Sequence, residues 1–236
     1  NKEMPIDISS FDKLEAVVDI IYNPYRTKLI LTAEKRGLKT ATGLEMLVAQ
    51  AGKSAEIFCR GSIEDGDIEE VIDKVLGKVL NRCLIGMPGA GKSFMGRRIA
   101  NVHQLPFVDT DAIFEQRFGQ SPADYINLFG QDRFRIMESN IYEELAKESG
   151  QVIACGGGVV EMPENLEYLR QNGVVIWVKR DLDKLSKSGR PISQEKGLEA
   201  LYKERAELYE SWSDFDINNN VTFKKSVLVI NGPNMN

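Results

Sequence analysis

Histidine is almost missing from this 236-residue chain, and its single example is His103. It falls at the end of a helix and reads as a surface position, not a catalytic group. Cysteine occurs three times, at Cys59, Cys83 and Cys155. These are far apart and lack metal-ligand spacing, so they read as reduced thiols of a cytoplasmic protein. There is no basic block, and the net charge is −5, so nucleic acid is not an expected partner. No apolar run approaches the length of a membrane span. The first residues, Asn1-Lys2-Glu3-Met4-Pro5, hold no apolar signal-peptide core. What remains is the composition of an ordinary globular protein, 42% apolar and 28% charged. The length allows one large domain with attachments.

Against that background one stretch stands out. Gly86-Met87-Pro88-Gly89-Ala90-Gly91-Lys92-Ser93 fits the phosphate-binding pattern G-x-x-x-x-G-K-[ST] in full. Glycines let the backbone curl until successive N–H groups point at phosphate oxygens. The helix that follows adds the positive end of its dipole. Lys92 can reach the β- and γ-phosphates, and the Ser93 hydroxyl can ligate Mg²⁺. The flanks agree: Cys83-Leu84-Ile85 reads as a strand, and Phe94, Met95, Ile99 and Ala100 fall at helical spacing.

Downstream, Leu105 to Asp111 reads as a short strand ending in two carboxylates. Ligands of an open parallel sheet bind beyond the carboxyl ends of its strands, which places Asp109 and Asp111 beside the loop. If the strand continues, the two point roughly oppositely and have different partners, one the metal and one a hydroxyl acceptor. Ser121-Pro122 caps a helix through Leu128. A longer helix runs to about Ser149, with Arg135 and Glu138 on one face. Such an arginine is either a preorganised anion fork or a surface salt bridge. Gln151 to Cys155 reads as a strand, and the Gly156-Gly157-Gly158 that follows suggests close backbone approach to a ligand. A helix spans Pro163 to Asn172. Val174 to Val178 is apolar throughout, as a buried parallel strand should be. Lys187 to Gly197 is a candidate lid. Leu198 to Trp212 is a helix carrying Arg205, and Asp214 to Ile217 a last strand. Alternating strands and helices predict an α/β fold, a doubly wound five-stranded parallel sheet of the P-loop NTPase type.

The first 80 residues read differently, as one strand (Val17 to Tyr22) and three helices (Thr27 to Arg36, Gly43 to Phe58, Asp67 to Leu80). One strand makes no sheet. The last helix carries Ile68, Val71, Ile72, Val75, Leu76, Val79 and Leu80 on one stripe.

Residues 81–222 resemble shikimate kinase along nearly their whole length. The resemblance rests on the phosphate loop followed by Gly96-Arg97, Asp109-Thr110-Asp111, Phe134-Arg135 with Glu138, the triple glycine, Arg190-Pro191, and Arg205 before Leu208-Tyr209. It implies ATP as co-substrate and Mg²⁺ as cofactor. It implies that Gly86, Pro88, Gly89, Ala90, Gly91, Lys92, Ser93, Phe94 and Arg190 hold the nucleotide, and that Ser93 and Asp109 serve the metal. Asp111 would hold the 3-hydroxyl of shikimate, while Arg135, Gly156, Gly157, Gly158 and Arg205 bind its carboxylate or ring hydroxyls. Lys92, Asp111 and Arg190 form the catalytic set. Three features depart from the family pattern. Phe94 replaces a small residue, no adenine-stacking arginine is evident between Asp181 and Arg190 (Lys187 is a weak substitute), and the final helix is missing after Ile217.

Two flanking resemblances accompany it. Tyr22 to Lys28, Ala33 to Gly37 and Gly43 to Ala51 resemble the C-terminal end of shikimate dehydrogenase, where Tyr22 and Gln50 would approach shikimate and Gly43 and Met46 the nicotinamide. Lys225 to Asn236 resembles the opening of a type II dehydroquinase, with Asn234 matching an active-site asparagine. The implied organisation is an inactive remnant in 1–80, a kinase domain in 81–222 and an inactive remnant in 223–236. Together they suggest a piece of a fused multi-enzyme polypeptide, with neighbouring shikimate-pathway enzymes or domains as possible partners. Two other readings stay open: a phosphate-loop kinase for another polyol acid such as gluconate, and a nucleotide-binding docking segment of an assembly.

Overall fold

The computed structural model describes residues 4–185 and 197–220. The chain divides into two compact units. Of the described residues, one holds those up to Leu80 together with Arg170–Asn172, and the other holds Asn81–Leu169 and those from Gly173 to Asn220.

In the first unit, β1 (Ala16–Val18) and β2 (Lys39–Ala41) pair in parallel, Val17 opposite Thr40. The expected single strand is therefore one of two. The sequence reading missed β2 because three residues without apolar alternation carry no strand signal. Helix α1 (Lys28–Lys35) connects them and buries Leu29, Ile30 and Ala33 with Ile8 and Val17. Its first turn is closed by the Thr27 side chain, which accepts from the Ile30 N–H. Helix α2 (Gly43–Cys59) opens with a Thr42–Glu45 capping box. Helix α3 (Asp65–Val79) follows. Its apolar stripe is only partly covered: Leu76 and the adjoining Leu80 are buried, whereas Val71 is exposed.

The second unit is a five-stranded sheet of strand order β4-β5-β3-β6-β7, parallel throughout. The strands are β3 (Asn81–Ile85), β4 (Phe107–Asp109), β5 (Val152–Ala154), β6 (Gly173–Lys179) and β7 (Phe215–Asn218). Every residue of β3 and β5 is buried, which is why residues 83–85 and 152–154 read as short apolar runs. The first two residues of β3, Asn81 and Arg82, are polar and also buried. The Asn81 side chain donates to Glu148 O and accepts from Gln151 N, so it satisfies the backbone where β5 begins. The crossovers are helical: α4 (Lys92–His103), α5 (Thr110–Phe118), α6 (Pro122–Phe129), α7 (Gln131–Leu145), α8 (Glu164–Gln171) and α9 (Leu198–Trp212). His103 is half-buried at the end of α4.

Helix α5 was not foreseen, and β4 ends two residues early because Asp109 stops the strand and caps α5. Helices α5, α6 and α7 close over an aromatic cluster beside the sheet. Phe114 lies at its centre, with ring centroids 4.5 Å from Phe118, 5.1 Å from Tyr125 and 4.9 Å from Phe134.

Both tryptophans of the chain, Trp177 and Trp212, lie in this unit, so their fluorescence reports its unfolding alone. Phe114→Ala should lower its stability by about 3–5 kcal/mol in urea titrations followed by that signal. A loss below about 1 kcal/mol would mean that the cluster closes up around the missing ring.

Candidate active site

The loop between β3 and α4 has its three glycines at positive φ, +138° at Gly86, +83° at Gly89 and +91° at Gly91. Gly86 is also crowded, since a Cβ there would lie 2.6 Å from Val178 O. These conformations suit glycine and let the loop turn back over the sheet. Buried Lys92 folds along the loop and donates to Gly86 O at 2.9 Å and Met87 O at 3.1 Å. Ala90 is fully buried. Two residues the sequence reading missed grip the loop from outside. Asn219 Nδ2 donates to Ala90 O at 2.7 Å, and Arg180 Nη1 lies 3.5 Å from Gly89 O. Phe94 is exposed on the first turn of α4 and lines the cleft, with Arg98 over its ring at 5.8 Å.

Asp109 and Asp111 border the same cleft but do not alternate across a strand. Asp109 ends β4 and accepts from the Ser93 hydroxyl at 2.6 Å through one oxygen. Through the other it accepts from Asp111 N at 3.1 Å, as the cap of α5. Asp111 sits in the first turn of α5 and is exposed. The two carboxylates are therefore separated by a strand-to-helix switch, which corrects the expectation of a continuing strand. The cleft is about 290 Å³ and is lined by Pro88, Gly89, Lys92, Ser93, Asp109 and Asp111, with Gly157 and Cys155 on the far wall.

The triple glycine follows β5, and here the close neighbours are protein groups. A Cβ on Gly157 would lie 2.6 Å from Pro88 Cγ of the phosphate loop. On Gly156 it would strike the Glu138 carboxylate, and on Gly158 the Arg135 guanidinium. Gly156 N donates to both Tyr142 OH (2.9 Å) and Thr110 Oγ1 (3.1 Å). Gly157 O accepts from Arg205 Nη1 at 3.1 Å and from the Tyr209 hydroxyl. Burial pushes the Tyr209 phenol up to about 12 and the Tyr142 phenol well above its ordinary value. Both therefore stay protonated as donors.

Arg135 is buried on α7 and is not a surface salt bridge. Its Nη1 donates to Glu138 Oε2 at 2.6 Å and its Nε to Glu161 Oε2 at 2.7 Å. Glu161 also takes the Arg205 Nη2 and, at 3.0 Å, Gln131 Nε2. Burial raises the Glu138 carboxyl above its ordinary range, with Arg135 opposing. Burial also works against the charge on Arg135, but Glu138 and Glu161 outweigh it and raise its pKa. For Glu161, burial is outweighed by Arg135 and Arg205, which hold the carboxyl below its usual value. Glu161 was missed because it stands at the end of a 3-10 turn (Val159–Glu161) that no periodicity marks.

The structure thus brings Gly86, Pro88, Gly89, Ala90, Gly91, Lys92, Ser93, Phe94, Asp109, Asp111, Arg135, Gly156, Gly157, Gly158 and Arg205 to one end of one unit. Lys187, Arg190 and Pro191, with the expected lid, lie outside the described residues, as does the tail from 221.

A parallel sheet with a phosphate loop after its central strand, a carboxylate ending the strand next but one and paired buried arginines defines a phosphotransferase of the P-loop kind. The shikimate kinase family model matches residues 88–229. A shikimate kinase of Clostridium botulinum (strain 657 / Type Ba4) is 36% identical over 140 residues, 55% of this chain and 82% of the relative. One of Aliivibrio salmonicida is 38% identical over 144 residues, 57% of this chain and 84% of the relative. Among solved structures, the shikimate kinase of Acinetobacter baumannii in complex with shikimate matches with a TM-score of 0.58 and 28% identity, covering 63% of this chain and 88% of that one. The chain belongs to the shikimate kinase family.

Because the folded pKa of Glu161 is depressed, its contribution to stability is present above the ordinary value of 4.5 and is lost as pH falls through the folded value. Glu161→Gln should therefore melt below the parent at neutral pH, and the gap should narrow in acid. A gap independent of pH would show that the carboxylate charge contributes nothing.

Proposed function

We propose that the chain transfers the γ-phosphoryl group of ATP to the 3-hydroxyl of shikimate. The observation that carries this reading is a pair of buried arginines, Arg135 and Arg205, tied through the triple glycine to the wall of a phosphate-loop cleft. An acceptor with both a carboxylate and hydroxyls fits such a site. In this reading Arg135 and Arg205 hold the carboxylate, and Asp111, at the mouth of α5, orients the 3-hydroxyl and takes its proton as the bond forms. Backbone N–H groups of Gly89 to Ser93 and the Nζ of Lys92 would hold the nucleotide phosphates, with Lys92 exchanging its loop carbonyls for phosphate oxygens. Arg190 is assigned to the same charge. Most of the rate enhancement would come from positioning and charge stabilisation, since little covalent chemistry is asked of the protein.

The site also suits Mg²⁺. Ser93 Oγ and Asp109 Oδ2 are hard oxygen donors 2.6 Å apart, the donor type this ion prefers. Ser93 would hold it directly and Asp109 through its waters, and the ion would supply charge neutralisation on the phosphates. Buried Cys83 and Cys155 are free thiols, in keeping with a cytoplasmic setting. On sequence resemblance we also assign 1–80 to a shikimate dehydrogenase remnant and 223–236 to a type II dehydroquinase remnant, both inactive, as parts of one fused polypeptide of neighbouring enzymes.

A coupled assay for ADP release tests the reading. Release with MgATP should depend on shikimate, and gluconate should not replace it. Asp111→Asn should keep ATP affinity within about twofold and lower kcat by about 10²–10⁴-fold, the range of a lost general base. Lys92→Ala should impair both nucleotide binding and turnover. Unchanged turnover in Asp111→Asn would remove that residue from the mechanism.

A further inference from the structure

The two arginines assigned to the acceptor carboxylate already share one. Glu161 places Oε2 against Arg135 Nε and Oε1 against Arg205 Nη2, so one carboxylate spans both guanidiniums. Arg135 has a second counterion in Glu138, three residues on along α7. The four charges cancel, and an acceptor carboxylate added to them would leave an excess negative charge in a buried site.

The two acids differ in how firmly they are held. Glu138 is 3% exposed and fixed on a helix face, whereas the Glu161 side chain is 24% exposed. Glu161 ends the short turn that follows the glycines. Fully buried Asn165 secures the start of that turn, accepting from Ser139 and donating to Val159 O at 2.9 Å. Glu161 is also an imperfect occupant. Nε and Nη2 of a guanidinium form one edge that a carboxylate can grip with both oxygens. Glu161 spends one oxygen on each arginine, and Arg205 Nε is left buried with no hydrogen-bond partner among the described residues.

We propose that Glu161 is a built-in competitor of the acceptor carboxylate. It keeps Arg135 and Arg205 paired in the free enzyme and must swing away before the acceptor binds, so it sets the KM for carboxylate acceptors. This rests on the assignment of Arg135 and Arg205 to the acceptor carboxylate. Displacement can complete the Arg205 edge, which offsets part of its cost. Glutamine there keeps the shape of the side chain but only one of the two acceptor oxygens, so it loosens the hold on one arginine and leaves the pocket one positive charge.

The test is steady-state kinetics of Glu161→Gln and Arg205→Ala in the whole chain, with tryptophan fluorescence confirming folding. Two acceptors are compared, shikimate and its methyl ester. Glu161→Gln should lower KM for shikimate about three- to tenfold, the size expected for removing one competing charge at a half-buried pair. The effect should fall on KM, not kcat, and the methyl ester should not share it. An unchanged or raised KM for shikimate, or an equal shift for both acceptors, would show Glu161 to be a scaffold for the arginines and would overturn the proposal. Arg205→Ala separates the two levels. If it raises KM for shikimate while Glu161→Gln fails to lower it, only the competitor role falls. If a folded Arg205→Ala leaves KM for shikimate unchanged, the carboxylate assignment falls, and the competitor role with it.

Discussion

Everything at this site depends on how closely the backbone after β5 approaches the loop after β3. Adjacent parallel strands in register, Leu84 opposite Ala154, bring the two turns to the same level of the sheet. With glycine at 157, the Pro88 ring packs where a side chain would stand. The phosphate loop is therefore packed directly against the glycine turn that also contacts Arg135 and Arg205. Positioning at the level of a few tenths of an ångström is what phosphoryl transfer asks of a protein.

The same closeness explains the second tier of residues. Gly156 and Gly158 have no room for a Cβ because the Glu138 carboxylate and the Arg135 guanidinium occupy it. Tyr142 and Tyr209, one turn beyond Glu138 and Arg205 on their helices, satisfy Gly156 N and Gly157 O. Each of the two helices thus brings a charged group and a neutral phenol to the glycine turn, and burial keeps the phenols from ionising. The aromatic cluster around Phe114 takes Phe134 and Ile141 from the adjoining face of α7, and Arg135 lies over the Phe134 ring, which ties the placement of Arg135 to core packing.

Much of this was legible in the sequence, for physical reasons. A glycine-lysine-serine loop has few alternative uses. Residues 83–85 of β3, 152–154 of β5 and 174–178 of β6 are buried and read as apolar runs, and α9 was placed at its observed ends, Leu198 and Trp212. The failures were equally physical. Helix α5 is only nine residues long, too short for a clear period, and its start is masked by the carboxylate that also ends β4. The triple glycine was read as a close backbone approach to a ligand; the structure adds that Glu138, Pro88 and Arg135 stand where the missing Cβ atoms would be, while Gly157 also lines the cleft. Periodicity cannot distinguish these cases, since both need the same missing Cβ. Glu161, Asn219 and Arg180 act across distances of 26 to 129 residues in sequence, and no local pattern encodes such partners.

The charge arrangement poses a problem common to buried anion sites. If Arg135 and Arg205 receive the acceptor carboxylate as proposed, they still cannot stay unpaired beforehand, because an isolated buried charge is far more costly than a paired one. Folding therefore favours a resident counterion, and a resident counterion opposes the ligand. This fold divides the two demands. Glu138, inaccessible and fixed, neutralises Arg135 for good. Glu161, more exposed and on a turn, pairs the remaining positive charge in a way that leaves Arg205 incompletely bonded. A second fixed acid would have made the fold more secure and the site blind to carboxylates. No second acid at all would have left Arg205 buried without a counterion before any ligand arrived.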